Sequence, residues 1–176
     1  ERQHDGVALT DAGRRLLGRP PATDAVTPAA PGTPLTVADV TTFDPEGDDE
    51  ERQDLSRFVL LEPYLDRKAS ELAEWNARAP GSERDVVNRR RVTNVGIFRM
   101  YVERYLRRQP GIHQAMTLMV RQLDPTSDGL PMEIYCFTNT TEWVAYEGIQ
   151  SDIFDHLLSI LPEFGLRVFQ HPSGAD

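Results

Sequence analysis

From Leu35 onward the hydrophobic positions switch between a period of two and a period near 3.6, and each switch marks an element. The run LTVADVTTF (35–43) is rich in β-branched residues, with Leu35, Val37 and Asp39 alternating against Thr36 and Ala38, and predicts a strand. Leu55, Phe58, Leu61, Leu65, Leu72 and Trp75 recur at helical spacing and predict a helix over about 51–79. Pro63 falls inside that span, so a kink or a split into two helices is expected there, and Pro80-Gly81 stops it. Phe98, Tyr101, Val102, Tyr105 and Leu106 line one side of a helix over about 95–108, with Thr93 or Asn94 as its cap. Met116, Leu118 and Val120 alternate with Thr117, Met119 and Arg121 as a strand. The turn run DPTSDG ends at Gly129, and Met132, Ile134 and Cys136 then alternate as a second strand. Asn139 with Thr140 or Thr141 is placed to cap a helix over about 142–164, whose stripe is Trp143, Tyr146, Ile149, Ile153, Leu157 and Ile160. Gly165 is placed to end it, and 166–170 closes as a short strand.

The order is strand, helix pair, strand, strand, helix, strand. It predicts an α+β, ferredoxin-like split βαβ sandwich (β-α-β-β-α-β) carrying an extra helix at about 51–79. Residues 1–34 fall outside that pattern. Val7 to Leu17 fits strand or helix equally, and RPPATDAVTPAAPGTP (19–34) holds five prolines and no periodicity, which reads as an irregular loop or linker. The expected organisation is a poorly patterned N-terminal segment, 1–34, followed by an α/β domain, 35–176.

Charge changes the picture more than composition does. The length of 176 residues fits one domain, and 39% hydrophobic residues suffice for one core. A net charge of −9 argues against a nucleic-acid partner. The charge is uneven: 39–54 carries eight acids against Arg52, and 84–108 carries eight arginines against Asp85 and Glu103. The chain opens on Glu1 rather than Met, which suggests a segment cut from a longer chain or a missing start, and no signal peptide is read. No apolar run approaches the ~18 residues of a membrane helix.

Candidate chemistry is sparse. Cys136 stands alone, so no intrachain disulfide is expected, and a strand cysteine is more often a small buried hydrophobe than a nucleophile. His4, His113, His156 and His171 make no metal-ligand spacing. Asp152, Asp155 and His156 share the polar side of one helix and have the residue types for acid–base work, although a solvated helix face explains them more simply. Arg89, Arg90 and Arg91 precede a helix start, where they could bind phosphate or an anionic partner, although such arginines are more often solvated or paired with acids. Tyr135 and Phe137 alternate on one strand but lack the flanking context of an RNA-recognition sheet. Trp143 and Tyr146 fit core packing or a subunit contact equally. No catalytic, cofactor-binding or metal-binding residue is assigned, and no glycine-rich phosphate loop is present.

Several runs, in order, resemble the cytoplasmic region of bacterial small-conductance mechanosensitive channels, in particular the miniconductance-type branch. They are RRVTNVGIFRMYVERYL (90–106), IHQAMTLMVRQL (112–123), GLPMEIYCFTNTTEW (129–143), YEGIQSDIFDHLL (146–158) and EFGLRVFQHPSG (163–174). FVLLEPYLDRK (58–68) resembles an extra helix of that branch. DAGRRLLG (11–18) and PLTVADVTTFD (34–44) look like two halves of a family strand, separated here by the Pro/Ala-rich insertion. The resemblance implies a non-enzyme and the lower α/β part of a hollow cytoplasmic cage. That cage belongs to a homoheptameric, tension-gated channel of the bacterial inner membrane, which releases solutes during hypo-osmotic shock. Contact with the membrane would come only through helices outside this chain, and self-association of the chain alone is expected to be weak or nil. The competing expectation from fold order and charge asymmetry is a free-standing ferredoxin-like regulatory or ligand-binding module.

Overall fold

The computed structural model describes residues 28–29, 35–43 and 57–169. In chain order these form β1 (Pro28–Ala29), β2 (Leu35–Ala38), β3 (Thr42–Phe43), α1 (Glu62–Arg78), β4 (Val92–Thr93), α2 (Asn94–Leu106), β5 (Met119–Gln122), β6 (Leu130–Phe137), α3 (Trp143–Ile160) and β7 (Arg167–Val168). Short 3-10 turns lie at Val86–Asn88 and Leu161–Phe164.

The long strand β6 organises the sheet. One of its edges takes β5, with Val120 opposite Ile134 and Gln122 opposite Met132. The other takes β2 beside Leu130–Met132, and β2 in turn pairs with β7. The spatial order β5-β6-β2-β7 is antiparallel throughout, and β1 adds two residues opposite Phe137 and Cys136. This α+β arrangement is compatible with a ferredoxin-like fold. Proline 28 interrupts no internal ladder, because a two-residue strand at the end of β6 needs few donors. That pairing lies inside a segment whose composition predicts only irregular structure.

Packing follows most of the predicted stripe positions, but Trp75 and Trp143 are 46% and 56% exposed, and Leu55 lies outside the described residues. Val37, Leu72, Phe98, Leu106, Met132, Leu157 and Leu166 are fully or almost fully removed from solvent and belong to one core. An aromatic cluster joins three segments. Phe164, after α3, stacks on Phe58 at 4.6 Å and meets the edge of Phe98 in α2 at 5.2 Å. Tyr101 completes it at 5.4 Å from Phe164. Two glycines matter for backbone reasons. Gly129 takes φ +121° where a Cβ would sit 2.6 Å from the Val37 carbonyl oxygen, so the β5–β6 hairpin can lie against β2 only without a side chain there. Gly165 takes φ +64° and ends the helical segment.

Four expectations change. A continuous helix kinked at Pro63 is not what forms: residues 57–61 are turns, α1 begins at Glu62, and Pro63 occupies its first turn, where a missing N–H costs nothing. Residues 51–56 lie outside the described residues. The single strand over 35–43 divides at Asp39, which takes φ +64°. Its carbonyl accepts from Asn94, and its carboxylate pairs with Arg167, so side chains from two other segments hold the bend. The strand expected from Met116 begins instead at Met119, because Gln114 Nε2 donates to the Leu106 carbonyl at 3.1 Å and the Ile112 carbonyl at 3.0 Å and turns the chain. The helix cap expected at 139–141 falls to Glu142, whose carboxylate accepts from the Val144 and Ala145 N–H groups. Asn139 instead donates to the Pro110 carbonyl at 2.7 Å, tying two loops.

Candidate functional site

The start of α2 is built from two adjacent polar residues with different tasks. Thr93 is the cap, and its hydroxyl accepts from Gly96 N–H at 3.1 Å. Asn94 is buried. Its Oδ1 accepts from the Thr41 and Val95 N–H groups, both at 2.9 Å. Its Nδ2 donates to the carbonyls of Asp39 at 3.0 Å and Phe164 at 3.2 Å. All four hydrogen-bonding positions of the side-chain amide are used, and they pin the β2–β3 bend and the end of the helical segment to the start of α2. A second buried amide does similar work nearby. Asn76 of α1 accepts from Arg90 N–H at 2.9 Å and donates to the Arg90 carbonyl at 3.3 Å, fixing the arginine-rich connector against α1.

These fixings shape a cleft of about 550 Å³ between α1, the start of α2 and β5. Five cationic side chains line it: Lys68 from α1, Arg90 and Arg91 from the connector, Arg99 from α2 and Arg121 from β5. Among the described residues no carboxylate lines it. Gly96 and Arg99 are three residues apart, so the helix presents both to the same side. Tyr64 forms part of the wall; burial raises its phenol pKa, and the nearby Arg99 partly offsets this.

The five cations divide by their partners. Glu71 pairs with Lys68 at 2.9 Å and with Arg90 at 3.0 Å, and the hydrogen bonds from Lys68 hold its carboxyl below the usual range. Arg121 pairs with Glu133 across the β5–β6 ladder. Arg91 and Arg99 have no ion-pair partner among the described residues. Of the flagged Arg89–Arg91 run, only Arg90 and Arg91 face the cleft; Arg89 donates from Nε to the Ser82 carbonyl at 3.0 Å. Sequence patterning missed Tyr64, Lys68 and Arg121, which reach the cleft from elements far apart in the chain. The Gly96/Arg99 spacing behind a Thr cap was the one local signal.

The other flagged residues do not assemble into a reactive centre. His156 Nε2 lies 2.9 Å from the Tyr101 hydroxyl, and its ring stacks on Tyr105 with centroids 4.1 Å apart. Burial lowers the His156 pKa. Asp152 and Asp155 are exposed, and neither bonds the imidazole. Cys136 is buried, which pushes its thiol up to about 12 and keeps it protonated. No group of three or more His, Cys, Asp or Glu suited to a metal occurs among the described residues, and His4 and His171 lie outside them. Tyr146 is a core residue, whereas Trp143 is 56% exposed and donates from Nε1 to Glu147 at 2.9 Å. Tyr135 and Phe137 meet edge to face on β6, with centroids 5.4 Å apart.

No helix among the described residues is long and apolar enough to cross a membrane. No family model matches the chain. Over 79 residues it is 32% identical to the low conductance mechanosensitive channel YnaI of Escherichia coli (strain K12). The match covers 45% of this chain, which spans under a quarter of that relative (23%). The likeness is thus to a part of a mechanosensitive channel.

Proposed function

We propose that this chain is the cytoplasmic α/β cage domain of a tension-gated channel of the small-conductance mechanosensitive superfamily, of the miniconductance-type branch. The observation that carries this reading is the 32% identity to YnaI over 79 residues. The sheet order β5-β6-β2-β7 supports it, being the order of a ferredoxin-like sandwich whose first strand begins at Leu35. In this reading 35–176 is the domain, and 1–34 carries a Pro/Ala-rich insertion. The domain stands on the cytoplasmic side of a bacterial inner membrane as one of seven copies around a hollow vestibule. Gating energy is tension multiplied by the change in in-plane area, so it comes from membrane helices encoded upstream. The cage shapes what reaches the pore.

The test is the longer gene product. Its sequence upstream of Glu1 should contain several apolar spans of about 20 residues. Expressed in cells stripped of their own tension-gated channels, it should give suction-activated currents and restore survival after hypo-osmotic shock. An upstream sequence without apolar spans, or a full-length protein silent up to membrane rupture, overturns the reading.

A further inference from the structure

We propose that the cleft at the start of α2 is a binding site for a multiply charged phosphate group, with Arg91 and Arg99 as the residues that hold it. The site belongs to the chain itself and does not depend on the channel reading. It stands out because the surrounding charge runs the other way. The chain carries −9 overall, yet five cations from four separate segments converge on one cleft that no carboxylate of the described residues lines. Like charges brought together raise the folding free energy unless something neutralises them. Glu71 and Glu133 pair with three of the five from outside the lining and offset two of their charges. Arg91 and Arg99 have no anionic partner among the described residues, and an external anion would supply one.

The geometry selects the class of anion. The first-turn N–H groups of α2 are already taken: those of Asn94, Val95 and Gly96 bond to Thr41, Asn94 and Thr93 respectively. The anion would therefore be held by guanidinium groups, with the helix dipole adding favourable potential from behind. Guanidinium forks match phosphate oxygens in bidentate geometry, and two of them exceed what one carboxylate can use. Gly96 leaves the floor free of a side chain. The Tyr64 hydroxyl, which has no hydrogen-bond partner among the described residues, supplies a neutral donor at the wall. At about 550 Å³ the cleft lies within the usual range for small-molecule sites. A free polyphosphate and a phosphorylated lipid headgroup share this chemistry.

Titrating inorganic pyrophosphate into the 176-residue chain in a calorimeter, in about 0.1 M salt, tests the site directly. Saturable binding to one site is expected, weakened about tenfold or more in the Arg91→Gln/Arg99→Gln pair. Gln122→Glu, which places a carboxylate in the lining without touching either arginine, should weaken it as well. Arg107→Gln/Arg108→Gln, at the far end of α2, should leave it unchanged. These side chains are partly or fully exposed, and a melting curve for each variant separates lost binding from lost folding. A second arm sediments the chain with phosphatidylcholine vesicles containing a phosphorylated inositol lipid. Co-sedimentation abolished by the Arg91/Arg99 pair and displaced by pyrophosphate supports a headgroup as the source. Pyrophosphate binding without co-sedimentation supports a free phosphate compound. No saturable binding in either arm, or binding equally weakened by the Arg107/Arg108 pair, overturns the site.

Discussion

The starts of α2 and α3 are the same kind of object with opposite electrostatic surroundings. Both present the positive end of a helix dipole. At α3 the chain supplies its own anion: the Glu142 carboxylate accepts from Val144 N–H at 3.2 Å and Ala145 N–H at 2.7 Å. At α2 the cap is the neutral hydroxyl of Thr93, and the nearest charges in the cleft are cationic. One start is electrostatically complete, and the other stacks positive side chains on a positive dipole. The difference teaches where an added anion has something to gain: at α3 it would meet a carboxylate, and at α2 two guanidinium groups without an ion-pair partner among the described residues.

The largest effect should come from removing what fixes the α2 start in place. Asn94→Ala leaves the Thr41 N–H and the Asp39 and Phe164 carbonyls without their side-chain partners, the Phe164 bond being the fully buried one. A loss of about 2–3 kcal/mol is expected, which lowers the melting temperature by roughly 5–10 °C. Asn94→Asp keeps the acceptor and loses both donors, so it should fall between. If Asn94→Ala melted with the parent chain, the amide would not be the pin described above.

The next test makes the two starts alike. Thr93→Asp preserves an acceptor for Gly96 N–H and adds the charge that α3 already has. With Arg91 and Arg99 beside it, stability should rise by about 0.5–1 kcal/mol. Pyrophosphate binding should fall, because the seat is now filled from within. The reciprocal change, Glu142→Ala, should cost about 1 kcal/mol and leave the cleft's ligand binding untouched. Equal effects of both changes on binding would erase the distinction between the two starts.

How far these features were legible depends on their range. The β5–β6 hairpin, the Thr93 cap and the Gly165 terminator are written in neighbouring residues, and the structure has them. The Glu142 cap was not read, because Asn139, Thr140 and Thr141 are better capping types in isolation. Tertiary partners decide otherwise: Asn139 is spent on Pro110, and the Thr140 hydroxyl accepts from Glu142 N–H at 3.1 Å. The bend at Asp39 was equally hidden. A continuous β-branched run gives no local reason for φ +64°, and the reasons are Asn94 and Arg167, 55 and 128 residues away. The cleft follows the same rule: the arginine run announced a basic segment, but only folding brings Lys68 and Arg121 to it.

A third helix contact sharpens the comparison at smaller scale, since α3 also packs a titrating group against α2. His156 sits between Tyr101 and Tyr105 of α2, with Asp152 and Asp155 on its own helix exposed to solvent. Burial depresses its pKa from 6.5, so the folded chain favours the neutral ring. The unfolded chain then binds the proton more readily, and stability rises with pH through that window. The contribution is fully present above about pH 7 and is lost as pH falls through 6.5 towards the lower folded value. The lowered carboxyls of Asp39 and Glu71 act in the same direction, but in the acid range below their usual values of 3.8 and 4.5. His156→Phe keeps a ring against Tyr105 and removes the proton site. Melting temperatures between pH 7.5 and 5 should therefore flatten in that variant, while the steeper fall at more acid pH remains. A parent chain whose melting temperature did not change between pH 7.5 and 5 would show that the imidazole is as well solvated folded as unfolded, and the α2–α3 contact would lose its pH sensitivity.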